Sequence, residues 1–191
     1  DLVVSDNTLP TLVGCPSNIT LFTNDDGGTD CEVSVTYTAP TFNDNCTGST
    51  VVNSITGTNT LNGASFGLGT TNVVWQVTDG SGNTATCNYN VVVVDAEAPV
   101  ALCQDITIQL DASGNATIVP AQIDNGSSEN CSIGGLSVSP NTFTCAEVGA
   151  NTVTLTVLDN AGNSTTCTST VTVEDNVLPN AICQDITVQL D

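Results

Sequence analysis

One block of eleven residues occurs twice in this chain. Residues 101–111 read ALCQDITIQLD and residues 181–191 read AICQDITVQLD, identical at nine positions and 80 residues apart. The same offset relates VVVVDAEAP (91–99) to VTVEDNVLP (171–179), and VTDGSGNTATC (77–87) to VLDNAGNSTTC (157–167). An earlier copy is visible too: VVSDNTLP (3–10) matches VVVDAEAP (92–99), and CPSNITL (15–21) stands where CQDITI (103–108) stands later. A repeat of this length implies a string of small domains, each with its own limited core. The expected division is a tail of a preceding repeat at 1–9, repeat one at 10–98, repeat two at 99–178 and the start of a further repeat at 179–191.

Within each repeat the apolar residues alternate. Val73, Trp75 and Val77 share one face, between Asn72, Val74, Gln76 and Thr78. Val153, Leu155 and Val157 do the same between threonines, as do Ile106, Ile108 and Leu110, and Val171 with Val173. Period two with β-branched residues predicts half-buried strands, and no segment has helical periodicity. The runs Asp79–Asn83, Asp159–Asn163 and Asp111–Asn115 read as hairpin loops. Turn signals near every ten residues predict an all-β fold of tandem immunoglobulin-like β-sandwich domains, about seven strands each. Trp75 is expected in the core.

Charge removes whole classes of function. The chain has no Lys, Arg or His and carries 20 Asp and Glu, for a formal charge of −20. Ser-His-Asp and Cys-His sites lack their base. Schiff-base and phosphate-binding lysines are absent, as are Lys–Asn cross-links. Nucleic-acid binding, which rests on cationic side chains, is not expected. A carboxylate pair that cleaves glycosides is disfavoured, because the acidic residues sit in short turns with few aromatics nearby. No apolar run approaches membrane-spanning length. The expectation is no enzyme and no direct membrane insertion.

The chain has nine cysteines, which in this composition points to disulfides and an oxidising, extracellular setting. Cys15 precedes a first strand and Cys87 lies in a last strand, positions that meet at one end of a sandwich. This pairs Cys15 with Cys87 and Cys103 with Cys167. The remainder would pair Cys31 with Cys46 and Cys131 with Cys145, although four cysteines allow three pairings and the sequence does not choose. Cys183 is left over. Six Asn-x-Ser/Thr sequons occur, at Asn18, Asn45, Asn115, Asn125, Asn130 and Asn163.

The motifs in repeat one are Pro10, Cys15–Ile19 (Cys-Pro-x-Asn-Ile), Pro40, Asp44–Cys46 (Asp-Asn-Cys), Gly69–Val73, Asp79–Cys87 and Val91–Asp95. This set resembles the HYR (hyalin repeat) domain, an immunoglobulin-like module. Repeat two resembles a relative of it in large surface adhesins of Bacteroidetes-type bacteria. The resemblance implies extracellular adhesion, cell-surface display or filament building, as a stalk or as a ligand-binding adhesion module. Partners would be neighbouring repeats, other copies in a fibre, or surface ligands such as glycans.

Twenty anions without an internal cation must be screened or neutralised. Calcium takes six to eight oxygens and favours clustered carboxylates. At the junctions between repeats the candidates are Asp25, Asp26 and Asp30, Asp95 and Glu97 of the linker, then Asp124 and Asp159, with Asp175 in the next linker. For Asp79, Asp111 and Asp159 the competing role is to cap their own turns through backbone N–H groups.

Overall fold

The computed structural model describes residues 5–27 and 30–189. Val3 and Val4 of the expected tail, and Leu190 and Asp191 of the expected next repeat, lie outside these. The described residues form a nearly all-β chain that divides into two compact units. The first contains the chain up to Ala98 together with Glu129–Ser132 and Asp159–Asn163. The second contains Pro99–Ser128, Ile133–Leu158 and the chain from Ser164 onward.

In the first unit eight strands form: β1 (Thr11–Val13), β2 (Ile19–Phe22), β3 (Glu32–Val35), β4 (Thr41–Asn43), β5 (Thr50–Asn53), β6 (Ala64–Gly67), β7 (Gly69–Thr78) and β8 (Thr84–Val94). The main sheet has the order β2-β8-β7-β5. β7 and β8 make a long antiparallel hairpin, whereas β2 runs parallel to β8, with Ile19 opposite Val91 and Phe22 opposite Val94. β3 pairs with β6, and β1 with β4. The alternation in the sequence explains the layering. Val73, Trp75 and Val77 are fully buried, and Val33, Phe66, Leu61, Tyr89, Val91 and Val93 close the core from both layers. Each fully buried aliphatic or phenyl side chain contributes about 1.5–3 kcal/mol relative to exposure.

The second unit repeats the plan. β9 (Ile106–Gln109), β10 (Asn115–Thr117), β11 (Ile133–Ser139), β12 (Thr142–Thr144), β13 (Gly149–Asp159) and β14 (Ser164–Glu174) form a sheet of order β11-β13-β14-β9 and a β10–β12 pair. β9 again runs parallel to the last strand, with Ile106 opposite Val171. Val153, Leu155, Val157, Val171, Val173, Phe143 and Ile123 are the core. Two short turns of helix depart from the expected strand-only reading: α1 (Pro120–Ile123), with proline at its start, and a 3-10 turn at Cys145–Glu147. Strand counts are eight and six where about seven were expected in each. Residues 175–189 carry no strand, and Ile186 and Val188 are exposed.

A polar side chain sets the parallel pairing in both units. Asn18 Oδ1 accepts the Asn90 N–H at 2.8 Å, and Asp105 Oδ1 accepts the Thr170 N–H at 2.7 Å. The Cys-x-x-Asn-Ile motif therefore ties the first strand to the last twice: covalently through Cys15 and by hydrogen bond through Asn18.

Two expectations are corrected. Asp111–Asn115 is not a hairpin loop, because β9 and β10 lie in different sheets; it is a crossover that keeps its turn chemistry. The second set of disulfides also differs. Cys31 is bonded to Cys131, with Cα atoms 5.0 Å apart, rather than to Cys46, and Cys145 does not meet Cys131. Cys31 and Cys46 are separated by β3 and β4, which pair with different strands and do not return to each other. Cys145 is carried by β12 to the turn before β10, where its sulfur lies 3.8 Å from the Gly114 carbonyl oxygen. A Cβ at Gly114 would come within 2.7 Å of that sulfur, and its φ of +74° favours glycine independently. Cys46, Cys145 and Cys183 are free and exposed. Cys15 is bonded to Cys87 and Cys103 to Cys167, with Cα separations of 6.2 and 5.9 Å.

Candidate functional site

Most of the carboxylates proposed as calcium ligands are used locally. Asp25 Oδ2 accepts the Phe22 N–H at 2.7 Å, and Asp26 Oδ2 accepts the Ser34 N–H at 2.7 Å. Asp30 Oδ1 accepts from Glu32 N at 3.3 Å. Asp124 Oδ1 accepts from Ser127 N at 3.0 Å, and Asp175 Oδ1 from Val177 N at 3.0 Å. Glu97 Oε2 accepts the Asn130 amide at 2.6 Å. Asp95 is buried; its Oδ1 accepts the Thr23 hydroxyl at 3.5 Å and the Glu97 N–H at 3.2 Å.

The hairpin aspartates are tightly capped. Asp79 Oδ1 accepts the Ser81 and Asn83 N–H groups, each at 2.8 Å, while Oδ2 accepts the Asn83 amide at 2.7 Å. Asp159 repeats this with Gly162 at 2.6 Å, Asn163 N–H at 2.7 Å and Asn163 amide at 2.8 Å. Asp111 bonds Ser113 and Asn115 in the same way. Burial pushes the Asp79 and Asp159 carboxyls up, yet the Asn83 and Asn163 amides and the turn N–H groups outweigh it, so both sit below the ordinary carboxylate range. A depressed folded value means stability that is present above the unfolded pKa, near 4, and lost as pH falls through the folded one. Asp79→Asn is accordingly expected to lower the melting temperature at pH 7 and to flatten its fall below pH 4, as read by thermal melts across pH.

Among the described residues, two groups bring three metal-ligating side chains within 4.8 Å of one another: Asp95, Glu129 and Cys131, and Asp6, Asp44 and Asp79. Both lie in the first unit. Of the expected ligands only Asp95 belongs to either group. Cys131 is spent in the bond to Cys31 and offers no thiolate. The sequence does not bring the second group together, because its members come from three distant segments. The motif Asp44–Cys46 was visible there without a role.

Hydrogen bonds hold this second group in place. Asp6 Oδ1 accepts the Thr8 N–H at 2.9 Å and the Asn45 amide at 3.2 Å. Asp44 Oδ2 accepts the Cys46 N–H and the Ser49 hydroxyl, each at 3.3 Å. The Asn83 amide also reaches the Asp6 carbonyl oxygen at 3.1 Å, which clamps the segment before β1 to the β7–β8 hairpin. The Thr8 N–H, then the Cys46 thiol and the Asn45 amide, hold Asp6 below the usual carboxylate range. The same contact to Asp6 pushes the Cys46 thiol up.

Two layers of β-structure, with the first strand of the main sheet parallel to the last, make this an immunoglobulin-like all-β protein. Residues 5–93 match the HYR domain model. The chain is 32% identical over 195 residues to hyalin of Strongylocentrotus purpuratus, across 97% of this chain and 15% of hyalin. The family match falls on the first repeat, and three disulfides are present among the described residues. The chain spans only that 15% of the relative's length. Among solved structures it is similar to human mucin-like protocadherin EC1-2, at a TM-score of 0.43 and 14% identity over 87% of this chain and 98% of that one. It is also similar to Drosophila N-cadherin EC1-4, at 0.44 and 11% over 87% and 50%. The fold class itself rests on the sheets described above.

Proposed function

We propose that this chain is a load-bearing stalk or filament segment of a secreted cell-surface adhesin, with repeats at 10–98 and 99–178 running end to end, and that it performs no catalysis. A bacterial surface protein is the setting we propose. The observation that carries the reading is the placement of the disulfides. Cys15 stands before β2 and Cys87 within β8, so tension entering at one end of the repeat crosses from Cys15 to Cys87 through the sulfurs. Residues 16–86 then lie off the path of force. Cys103 and Cys167 do the same for residues 104–166. Once the sulfurs are reduced, the β2–β8 and β9–β14 ladders, parallel pairings of first and last strands, take the load in shear. Single-molecule pulling with and without reductant tests this. An array whose extension is indifferent to reduction is not a stalk of this kind.

A second reading is a ligand-binding adhesion module. An open cleft of about 670 Å³ in the first unit favours it, with Val13, Pro16, Ile19, Tyr37, Ala39 and Pro40 in its lining. Binding of the protein to a glycan array, lost in Tyr37→Ala, would support this reading over a bare stalk. Neighbouring repeats and other copies of the chain are the remaining proposed partners, with calcium as the proposed ion.

A further inference from the structure

The Asp6, Asp44 and Asp79 group has two oxygens that its own hydrogen bonds leave unexplained. Asp6 Oδ2 and Asp44 Oδ1 are shut away from solvent, and neither has a hydrogen-bond partner. The Cys46 thiol beside Asp6 is the nearest donor, and a thiol is a weak one. Asp79 beside them is 95% buried. A buried anionic oxygen without a donor is costly, and here two of them converge with a third carboxylate inside 4.8 Å. No side chain in the sequence can neutralise them, since Lys, Arg and His are all absent.

We propose that Asp6, Asp44 and Asp79 hold a hard divalent cation, calcium by ligand chemistry. Carboxylate oxygens are its preferred donors, and calcium fills the rest of its shell with carbonyls and water. The ligands come from the segment before β1, the turn after β4 and the β7–β8 hairpin, so an ion joins three stretches that share no strand ladder. None of these three belongs to the linker set of Asp25, Asp26, Asp95, Glu97, Asp124, Asp159 and Asp175, and the site does not depend on the stalk reading.

The constellation recurs at equivalent places in the repeat. Asp95 stands where Asp6 stands in Val-Val-x-Asp, Glu129-Asn-Cys where Asp44-Asn-Cys stands, and Asp159 where Asp79 stands. Asp95 and Glu129 again lie within 4.8 Å. The Asn163 amide reaches the Asp95 carbonyl oxygen at 3.3 Å, as Asn83 reaches Asp6. The Glu97 N–H bonds Asp95 Oδ1 as the Thr8 N–H bonds Asp6. Two like-charged clusters built alike in a chain without cations answer a shared need for a counter-ion.

Thermal melts in excess calcium chloride and in EDTA test the proposal on the wild-type chain and Asp44→Asn. Wild type is expected to gain roughly 5–10 °C from calcium, the size of shift that binding well above Kd produces in a domain of this size. Asp44→Asn keeps an acceptor for Cys46 N–H and Ser49, and its new amide can donate to the orphaned Asp6 oxygen. It should melt in EDTA at or above wild type and lose at least half of the calcium gain. Asp6→Asn is the second variant, with the same loss expected, and Asp111→Asn, outside the group, should keep the full gain. An equal calcium gain in wild type and both site variants overturns this site and leaves the linker set to explain it. No gain in wild type overturns calcium at both.

Discussion

Replacing Cys15 and Cys87 together by serine is expected to cost the first unit roughly 4 kcal/mol, from the loop-entropy relation applied to a separation of 72 residues. The Cys103–Cys167 pair, at a separation of 64, should cost nearly the same. A small domain holds about 5–15 kcal/mol in all, so either change removes a large part of the reserve. Urea denaturation of the first-unit variant followed by tryptophan fluorescence measures it, because Trp75 is the sole tryptophan and lies opposite Cys87 in the β7–β8 register. The mechanical effect is larger still. Reduction should release about 240–260 Å of hidden chain from the first unit, at 3.3–3.6 Å per residue. Oxidised protein should extend only through the stretches outside the two loops, including residues 88–102. A transition midpoint unchanged by the double substitution, and an extension unchanged by reduction of all three disulfides, would show that the ladders alone carry both stability and load.

The parts of this architecture legible in the sequence are those with a local cause. β7, β8, β13 and β14 announce themselves because Val73, Trp75 and Val77, or Val153, Leu155 and Val157, alternate with polar residues, and one buried face requires that pattern. The Asp79 and Asp159 turns are equally local, since each carboxylate serves N–H groups two to four residues away. What was not legible depends on where loops from distant segments meet. Cys31 bonds Cys131 across 100 residues, and no spacing rule chooses that partner over Cys46. Asp6 and Asp44 converge on Asp79 only once β1 has paired with β4 and the hairpin has closed. A count of carboxylates by junction points to the linker. The fold instead satisfies Asp25, Asp26 and Asp124 with nearby N–H groups and leaves oxygens of Asp6 and Asp44 without a donor. Asn53 is a further case. It looks like any loop asparagine, yet it is buried, donates to Thr56, Thr58 and Thr60, and accepts from Ile55 and Thr56, which organises the turn after β5.

Trp75→Ala is expected to destabilise the first unit by about 3–5 kcal/mol, the range for deleting a large buried aromatic. The indole is fully buried among Val33, Phe66 and Tyr89, and the residues around it cannot collapse without breaking two sheets. Trp75→Phe should cost far less than its lost volume suggests. The buried indole N–H has only the Tyr89 hydroxyl beside it, outside good hydrogen-bond geometry, and removing so poorly paired a buried donor returns roughly 1–3 kcal/mol. Burial, reinforced by Tyr37, also pushes the Tyr89 phenol up, so it stays protonated and uncharged at neutral pH. The second unit solves the same position differently. Leu155 replaces Trp75, and Ser169 stands where Tyr89 does, its hydroxyl donating to the Gln104 carbonyl at 2.6 Å. With no orphaned N–H to relieve, Leu155→Ala should lose about 2–5 kcal/mol with no offset. Thermal melts followed by circular dichroism compare all three variants without relying on the tryptophan. If Trp75→Phe falls as far as Trp75→Ala, the indole N–H has a partner that stabilises it, and the core of the first unit is held by a polar contact as well as by packing.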